Sequence, residues 1–328
     1  MLYAGLMQPE LIRTIDVFLE GTKKPLIVIL GLTASGKTGL SIEVAKHVNG
    51  EIVNSDSRQL YKYLDIGTAK ITEDEMQGVP HHLLDVKDPK EEVAVGWYQE
   101  QAGKTIEDII ARGKVPLLVG GSMLYISAIT DGLSLAPIAD ENLHERLMKE
   151  YDSDGGAKLY KRLQKIDPDT AEHIHMNNKP RVVRSVEIYE ILKSPKSKVM
   201  TERGELRPRS GNLGRCAYDC LIFGVDRGGE NIKRRIEERL EQMFESGWID
   251  EVRDLLAQGY TAEDPGLKSC GYREIIQYLQ EVESAGSDLD TDSMKEKLKS
   301  KIAAKTRQYA KRQMTWWRGD ERIRWVHI

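Results

Sequence analysis

Cysteine, long apolar runs and net positive charge are all scarce in this chain, and each scarcity excludes something. Three cysteines occur in 328 residues, Cys216, Cys220 and Cys270. The first two are spaced CxxxC, yet no second pair or nearby histidine cluster completes a zinc-ligand pattern, so packing or surface thiols are expected. A sparse, odd count suits a reducing compartment. No stretch approaches the roughly 20 apolar residues that span a bilayer. The first 24 residues carry Glu10, Asp16 and Glu20, with neither a secretory apolar core nor the Arg-rich, acid-poor character of a transit peptide. A cytoplasmic protein with no membrane partner is expected. The 48 Lys and Arg residues are outnumbered by 52 Asp and Glu, for a formal net charge of −4. Whole-molecule charge therefore nominates no nucleic acid, and any such surface must be a local patch.

Room and pattern are present. With 40 % apolar and 30 % charged residues the chain is of ordinary globular composition, long enough for one large domain and a smaller one. Pro25 to Leu30 (PLIVIL) is a continuous, β-branched apolar run, which predicts a strand buried on both faces of a parallel sheet. A glycine-rich turn and the helical pattern TGLSIEVAKHV follow. Glu51 to Asp56 predicts a second strand, WYQEQAGKTIEDIIARG a helix ending at Gly113, and Val115 to Gly121 a third strand. From about Asp131 three helical segments run without a strand between them, with Asp140 suited to cap the first and Pro180 to the first turn of the third. Tyr218 to Asp226 returns to a strand pattern, followed by helices near 231–247 and 293–319, with a polar linker SAGSDLDTDS between them. The fold class this predicts is α/β, a P-loop-type doubly wound parallel sheet with a helical insertion domain. The expected boundaries are an N-terminal extension at 1–24, the core at 25–130 and 205–328, and the insertion at 131–204.

Gly31-Leu32-Thr33-Ala34-Ser35-Gly36-Lys37-Thr38 matches GxxxxGK[ST] between a strand and a helix. The glycines let backbone N–H groups wrap phosphate oxygens, Lys37 neutralises charge, and the Thr38 hydroxyl can ligate Mg²⁺. A nucleotide hydrolase usually also has a strand ending in a metal-holding Asp. The candidate strand, PLLVGG, ends in glycines, which counts against ATP or GTP hydrolysis.

Six segments then occur in order: GLTASGKT, NSDSRQLYKYLDIGTAK, PHHLLD, GGSMLY, CGYREI and TRQYAKRQMTWWRG. Together they resemble the tRNA dimethylallyltransferase family over about residues 25 to 319, most specifically from Asn54 to Lys70. The resemblance implies that the loop, Gly31 and Thr33 to Thr38 (Ala34, Ser35, Gly36 and Lys37 included), holds dimethylallyl diphosphate. It further implies transfer of the dimethylallyl group to the N6 amine of the adenosine 3′-adjacent to the anticodon, with Mg²⁺ as cofactor and a tRNA anticodon stem-loop as partner. A monomer is expected.

That chemistry assigns roles. Charge builds on the leaving diphosphate, so donors should surround it, and the adenine amine needs a carboxylate to take its proton. Asp56, just past a strand on the carboxyl edge of the sheet, is the candidate base. The bland alternative is a turn cap within SDSRQLY. By resemblance Thr33 and Ser122 lie near the leaving group. The family usually has threonine where Ser122 stands and proline where Leu32 stands, but the hydroxyl is kept. Arg235, four residues before Arg239 on one helix face, is the diphosphate-binding arginine by resemblance, against a solvated face beside Glu237, Glu238 and Glu241.

From Lys295 to Arg318 there are nine Lys and Arg and one acid, Glu296, with Tyr309, Trp316 and Trp317 interleaved. Such a helix suits phosphate tracking and base stacking, and Lys305, Arg307, Lys311 and Arg312 are its expected tRNA contacts. The alternative is a surface helix packed through Ile302, Tyr309 and Trp316. By resemblance, Pro180, Arg181, Val182, Val183 and Arg184, and the run Asp56, Ser57, Arg58 and Gln59, also meet tRNA. His81 and His82 are expected to serve local structure. Two enzymes compete with this reading. An adenylate isopentenyltransferase acting on free AMP, ADP or ATP would share the loop and Asp56 but would not need the basic helix, and a P-loop kinase or NTPase would need the missing Asp. A non-enzymatic RNA-binding module leaves the loop and Asp56 unexplained.

Overall fold

Residues 7–131, 141–197, 216–285 and 291–328 are described by this computed structural model. The chain opens with helix α1 (Pro9–Glu20), entered through Gln8 with Pro9 in the first turn, where a missing N–H costs nothing. Then come β1 (Pro25–Gly31), α2 (Lys37–His47), β2 (Gly50–Ser55), the single turn α3 (Glu73–Met76), the two-residue β3 (His81–His82), α4 (Val95–Ala111), β4 (Val115–Gly120) and α5 (Met123–Thr130). The chain divides into two units, Met1–Thr130 with Ala217–Ile328, and Asp131–Cys216.

All six strands of the first unit are parallel, in the order β3-β2-β4-β1-β5-β6. The last two are β5 (Asp219–Asp226) and β6 (Ile323–His327). Strand β1 is central, with Ile27 opposite Leu117 on one side and Leu221 on the other. Leu26, Ile27, Val28 and Ile29 are wholly buried, as a two-faced strand requires. Successive side chains point to opposite faces. Leu26, Val28 and Leu30 join a core built on Tyr98, Ala102, Ile106 and Ile109 of α4. Ile27 and Ile29 join the opposite core with Leu40 and Val44 of α2 and Leu11 and Ile15 of α1. Each such side chain contributes roughly 1.5–3 kcal/mol. Helix α1 thus covers part of one sheet face.

After β5 follow α10 (Gly229–Glu245), α11 (Trp248–Ala257), α12 (Tyr272–Ala285) and α13 (Thr291–Trp317). Helix α10 buries Ile232, Ile236, Leu240 and Phe244, one residue per turn along a single stripe. The second unit is helical: α6 (Glu141–Asp154), α7 (Ala157–Ile166), α8 (Pro168–Glu172) and α9 (Lys179–Leu192) close around Leu147, Leu159, Leu163, Val182, Val183 and Val186. The expected cap Asp140 and the expected boundary at 204–205 lie outside the described residues, as does the middle of SAGSDLDTDS.

Strands β3 and β6 are absent from the sequence reading, as are helices α3, α5, α8, α11 and α12. A two-residue strand has no periodicity to read. It is fixed instead by pairing, Ile52 opposite His81 and Val53 opposite His82, and by the buried Glu51 carboxylate. Glu51 accepts from Arg112 at 2.6 Å and Lys114 at 2.7 Å and sits 2.7 Å from the His82 ring. Those partners, Arg112 foremost, hold its carboxyl well below the usual range. Glu51 lies at the amino end of β2, far along the strand from the edge where the phosphate loop sits, so His82 is a structural residue. Among the described residues no helix is long and apolar enough to cross a membrane.

Candidate active site

The carboxyl ends of β1, β2 and β4 meet at one edge, where Gly120 lies in register with Leu30 on one side and Ser55 on the other. A Cβ at Gly120 would come within 2.1 Å of the Ser55 carbonyl oxygen, so only glycine lets these strands finish together. The loop from Gly31 to α2 turns through Ala34 and Gly36, both at positive φ (62° and 92°). Its backbone is gripped from outside, with Arg227 Nε donating to the Ser35 carbonyl at 2.7 Å and Arg235 Nε to the Ala34 carbonyl at 2.9 Å.

A cavity of about 650 Å³ opens on this loop. Thr33, Ala34, Lys37 and Thr38 line it from one side, Asn54 and Asp56 to Gln59 from the end of β2, and Arg239, Arg273, Lys305, Tyr309 and Arg312 from the helices. Gly31, Ser35, Gly36 and Arg235 are not part of its wall. The arginine of α10 that reaches the cavity is Arg239, one turn beyond Arg235, and it donates to the Thr68 carbonyl at 3.4 Å. Lys37 donates to the Leu32 carbonyl at 2.7 Å. Burial pushes its ammonium down to about 8, against the pull of the Asp56 charge, with Arg239 lowering it further.

Asp56 is half-buried. Its Oδ1 accepts from the Arg58 N–H at 2.9 Å, and its own N–H donates to Asn54 Oδ1 at 3.0 Å. The turn-capping role is therefore real, but it uses one carboxylate oxygen. The other, Oδ2, has no hydrogen bond among the described residues. Ser122 is drawn to the same place: its N–H donates to the Ser55 carbonyl at 3.1 Å, and its hydroxyl accepts from the Ser57 N–H at 2.8 Å. Ser122 lines a second cavity of about 310 Å³, with Leu124, Tyr125 and Val93, while Ser57, Arg58 and Tyr309 border both spaces.

The segment Leu64 to Lys70 is shaped from several directions. Gln59 Nε2 donates to the Thr68 and Ala69 carbonyls, both at 3.1 Å. Glu251 accepts from the N–H groups of Asp65 at 2.9 Å and Ile66 at 2.7 Å, and from the Tyr272 hydroxyl at 2.6 Å. Gly67 and Gly271 lie on the Trp248 indole so closely that a Cβ at either would come within 2.1 Å and 2.0 Å of it. This contact explains two of the glycines in the DIGTAK and CGYREI segments.

The basic helix divides by face. Lys305 is ion-paired with the buried Glu274 and, with Arg312, lines the cavity. Arg307 is 3.4 Å from Glu237, and Lys311 is exposed. Its tryptophans pack against the protein, Trp317 buried and Trp316 half-buried. Trp317 is 3 % exposed and Trp316 packs against the same core, because the last turns of α13 lie on the sheet. Tyr309 does face the cavity, and burial pushes its hydroxyl up to about 12. In the helical unit Pro180 and Arg181 are exposed at the start of α9, and Arg184 donates to the buried Glu187 at 2.7 Å. Val182 and Val183 are wholly buried in that unit's core, so their side chains present nothing to an RNA.

Arg239, Glu251, Tyr272 and Gln313 all shape the site without being singled out in the sequence. Arg239 falls in a helical segment beside Arg235, and Tyr272 and Gln313 in two of the six named segments, but nothing there tells one arginine or one amide from its neighbour. The contacts that define Glu251 are formed with a segment more than 180 positions away in sequence.

Comparisons with known proteins identify the family. The family described as IPP transferase matches residues 59–320. A tRNA dimethylallyltransferase of Acetivibrio thermocellus is 40 % identical over 302 residues, covering 92 % of this chain and 91 % of that protein. The crystal structure of a tRNA isopentenylpyrophosphate transferase from Bacillus halodurans superposes with a TM-score of 0.63 at 35 % identity, covering 93 % of this chain and 90 % of that one. A eukaryotic dimethylallyltransferase, solved in snapshots acting on tRNA, gives a TM-score of 0.76 at 29 % identity, over 93 % and 74 % of the two chains. The chain belongs to the IPP transferase family.

Proposed function

We propose that this protein, acting as a cytoplasmic monomer, transfers the dimethylallyl group of dimethylallyl diphosphate to the N6 amine of the adenosine 3′-adjacent to a tRNA anticodon, releasing diphosphate. One observation carries the reading: the phosphate loop, the Asp56 carboxylate and the cations of α13 all line a single cavity.

The donor's diphosphate lies against the loop. Its oxygens take backbone N–H groups and the Lys37 ammonium, which exchanges its bond to Leu32 for a phosphate. Arg239, on the cavity wall, supplies a further donor, while Arg235 acts on the loop backbone through Ala34. As the allylic C–O bond breaks, negative charge grows on the departing oxygens, where these groups stabilise it. Thr33 borders the same cavity, while Ser122 lines the smaller one and acts on the reacting end through its bond to Ser57. The adenine amine forms the new C–N bond and gives its proton to Asp56, whose Oδ2 is free to accept it.

Mg²⁺ fits this arrangement. The Thr38 hydroxyl is exposed in the first turn of α2 and makes no hydrogen bond among the described residues, and no group of three acidic, His or Cys ligands occurs among them. Thr38 and the diphosphate itself would hold the ion, with water completing the shell, as this cation prefers. What Mg²⁺ supplies when bound there is neutralisation of the departing diphosphate.

On the acceptor side, Gln59 Oε1 has no partner among the described residues and can accept from a base edge. Lys305 and Arg312 offer charge to RNA phosphates, which a free nucleotide acceptor would not need. The relatives named above as tRNA dimethylallyltransferases support the same acceptor. An adenine in an anticodon loop must leave its stack to reach Asp56, which costs a few kcal/mol. The test is stoichiometric. With a synthetic anticodon stem-loop, one diphosphate should appear per prenylated adenosine, and an N6,N6-dimethyladenosine at that position, which has no N–H to give up, should abolish both. Diphosphate release that continues without prenylated RNA would refute the proposal.

A further inference from the structure

Gln313 is 1 % exposed and bridges the phosphate loop and the residue that follows β4. Its Oε1 accepts from the Thr33 N–H at 3.0 Å, and its Nε2 donates to the Gly121 carbonyl at 2.8 Å. The partners fix which way the amide points, since an N–H can only meet oxygen and a carbonyl can only meet N–H. One turn earlier on α13, the Tyr309 hydroxyl donates to the same Gly121 carbonyl at 3.2 Å. The basic helix therefore holds both the end of β4 and the phosphate loop.

We propose that Gln313 is a positioning residue: it sets the shape of the phosphate loop, and through it the donor site, from the helix that carries the RNA-facing cations. The inference rests on the diphosphate site proposed above. Arg227 and Arg235 grip carbonyl groups of the loop, whereas Gln313 grips an N–H. The Thr33 N–H is thereby committed to protein, and the residue that presents the Thr33 hydroxyl is pinned before any phosphate arrives. Leu32, the preceding residue, is the one that Lys37 bonds, so a shift of this turn moves the ammonium as well. Lys305, Thr306, Tyr309 and Arg312 line the cavity from the same helix as Gln313.

A structural clamp and a positioning residue differ in what they move. Loss of a mere clamp lowers the melting temperature and leaves the folded protein's donor affinity alone. Two variants separate the cases. Gln313→Met keeps the length and removes both hydrogen bonds. Gly121→Ala leaves Gln313 in place chemically but puts a Cβ 2.5 Å from its Nε2, pushing the flexible amide aside. For each, the dissociation constant of inorganic diphosphate, the donor and acceptor KM, kcat and the melting temperature are measured. Both variants are expected to weaken diphosphate binding and raise donor KM by about tenfold, the scale of an unmade buried hydrogen bond, with acceptor KM within about twofold. Folded variants with wild-type diphosphate affinity would overturn the proposal, whatever their melting temperatures, and Gly121→Ala decides if Gln313→Met does not fold. Should wild-type protein bind diphosphate and transfer no prenyl group, the functional reading falls while the diphosphate measurement still judges Gln313.

Discussion

The Ser122 hydroxyl accepts the Ser57 N–H at 2.8 Å, tying the turn after β4 to the turn that carries Asp56. Two strand ends that are neighbours in the sheet are thereby locked at the one edge where a phosphate loop also opens. The carboxylate is held by the backbone of its own turn through Oδ1 and left free at Oδ2, which is the arrangement a proton acceptor needs.

Asp56→Asn keeps the turn-capping oxygen and removes the proposed base. Transfer should slow by about 10² or more, with diphosphate and RNA binding nearly unchanged. Single-turnover rates at saturating RNA measure this, and a variant of wild-type rate would remove Asp56 from the chemistry.

Lys37 gives a pH dependence with a definite sign. Its ammonium is depressed from the ordinary 10.5 to about 8 by burial, so in the free protein the charge is lost as pH rises through about 8. Donor kcat/KM should fall on that side of the profile, by up to about tenfold per pH unit. Lys37→Arg, which stays charged, should abolish this limb even at a lower maximal rate. The unfolded chain binds the proton more tightly, so the free protein should gain stability from pH about 8 toward 10.5.

Trp248 leaves no room for a Cβ at Gly67, which would meet its Nε1 at 2.1 Å. Gly67→Ala should cost about 1–3 kcal/mol by overpacking, read from urea unfolding. Most of that cost should vanish in a Trp248→Leu background, and an additive double-mutant cycle would contradict the contact.

How much of this was readable in advance follows from the range of the interactions. Strand β1 and the phosphate loop were legible because periodicity and glycine placement are local: Leu26 to Ile29 are buried as the run PLIVIL predicts. Strand β3 was not, because two histidines become a strand only through β2 and Glu51. Trp316 and Trp317 looked like stacking residues beside their basic neighbours, yet they are held by the sheet core. Composition cannot show which face of a 27-residue helix turns inward. Val182 and Val183 failed as expected RNA contacts for the same reason, while Arg181 beside them is exposed.

Arg181→Gln and Arg312→Gln should each weaken tRNA binding across all sequences and reduce the salt slope by about 0.7–0.9. Titrations at several salt concentrations measure this. An unchanged slope in both would move the RNA surface elsewhere.

The acceptor's identity is read directly by one assay. Labelled dimethylallyl diphosphate and Mg²⁺ are offered with unmodified tRNA, and in parallel with AMP and ATP, and the label is followed into each acceptor. Label in tRNA alone is the predicted result. Label in the free nucleotides, with none in tRNA, would contradict the account.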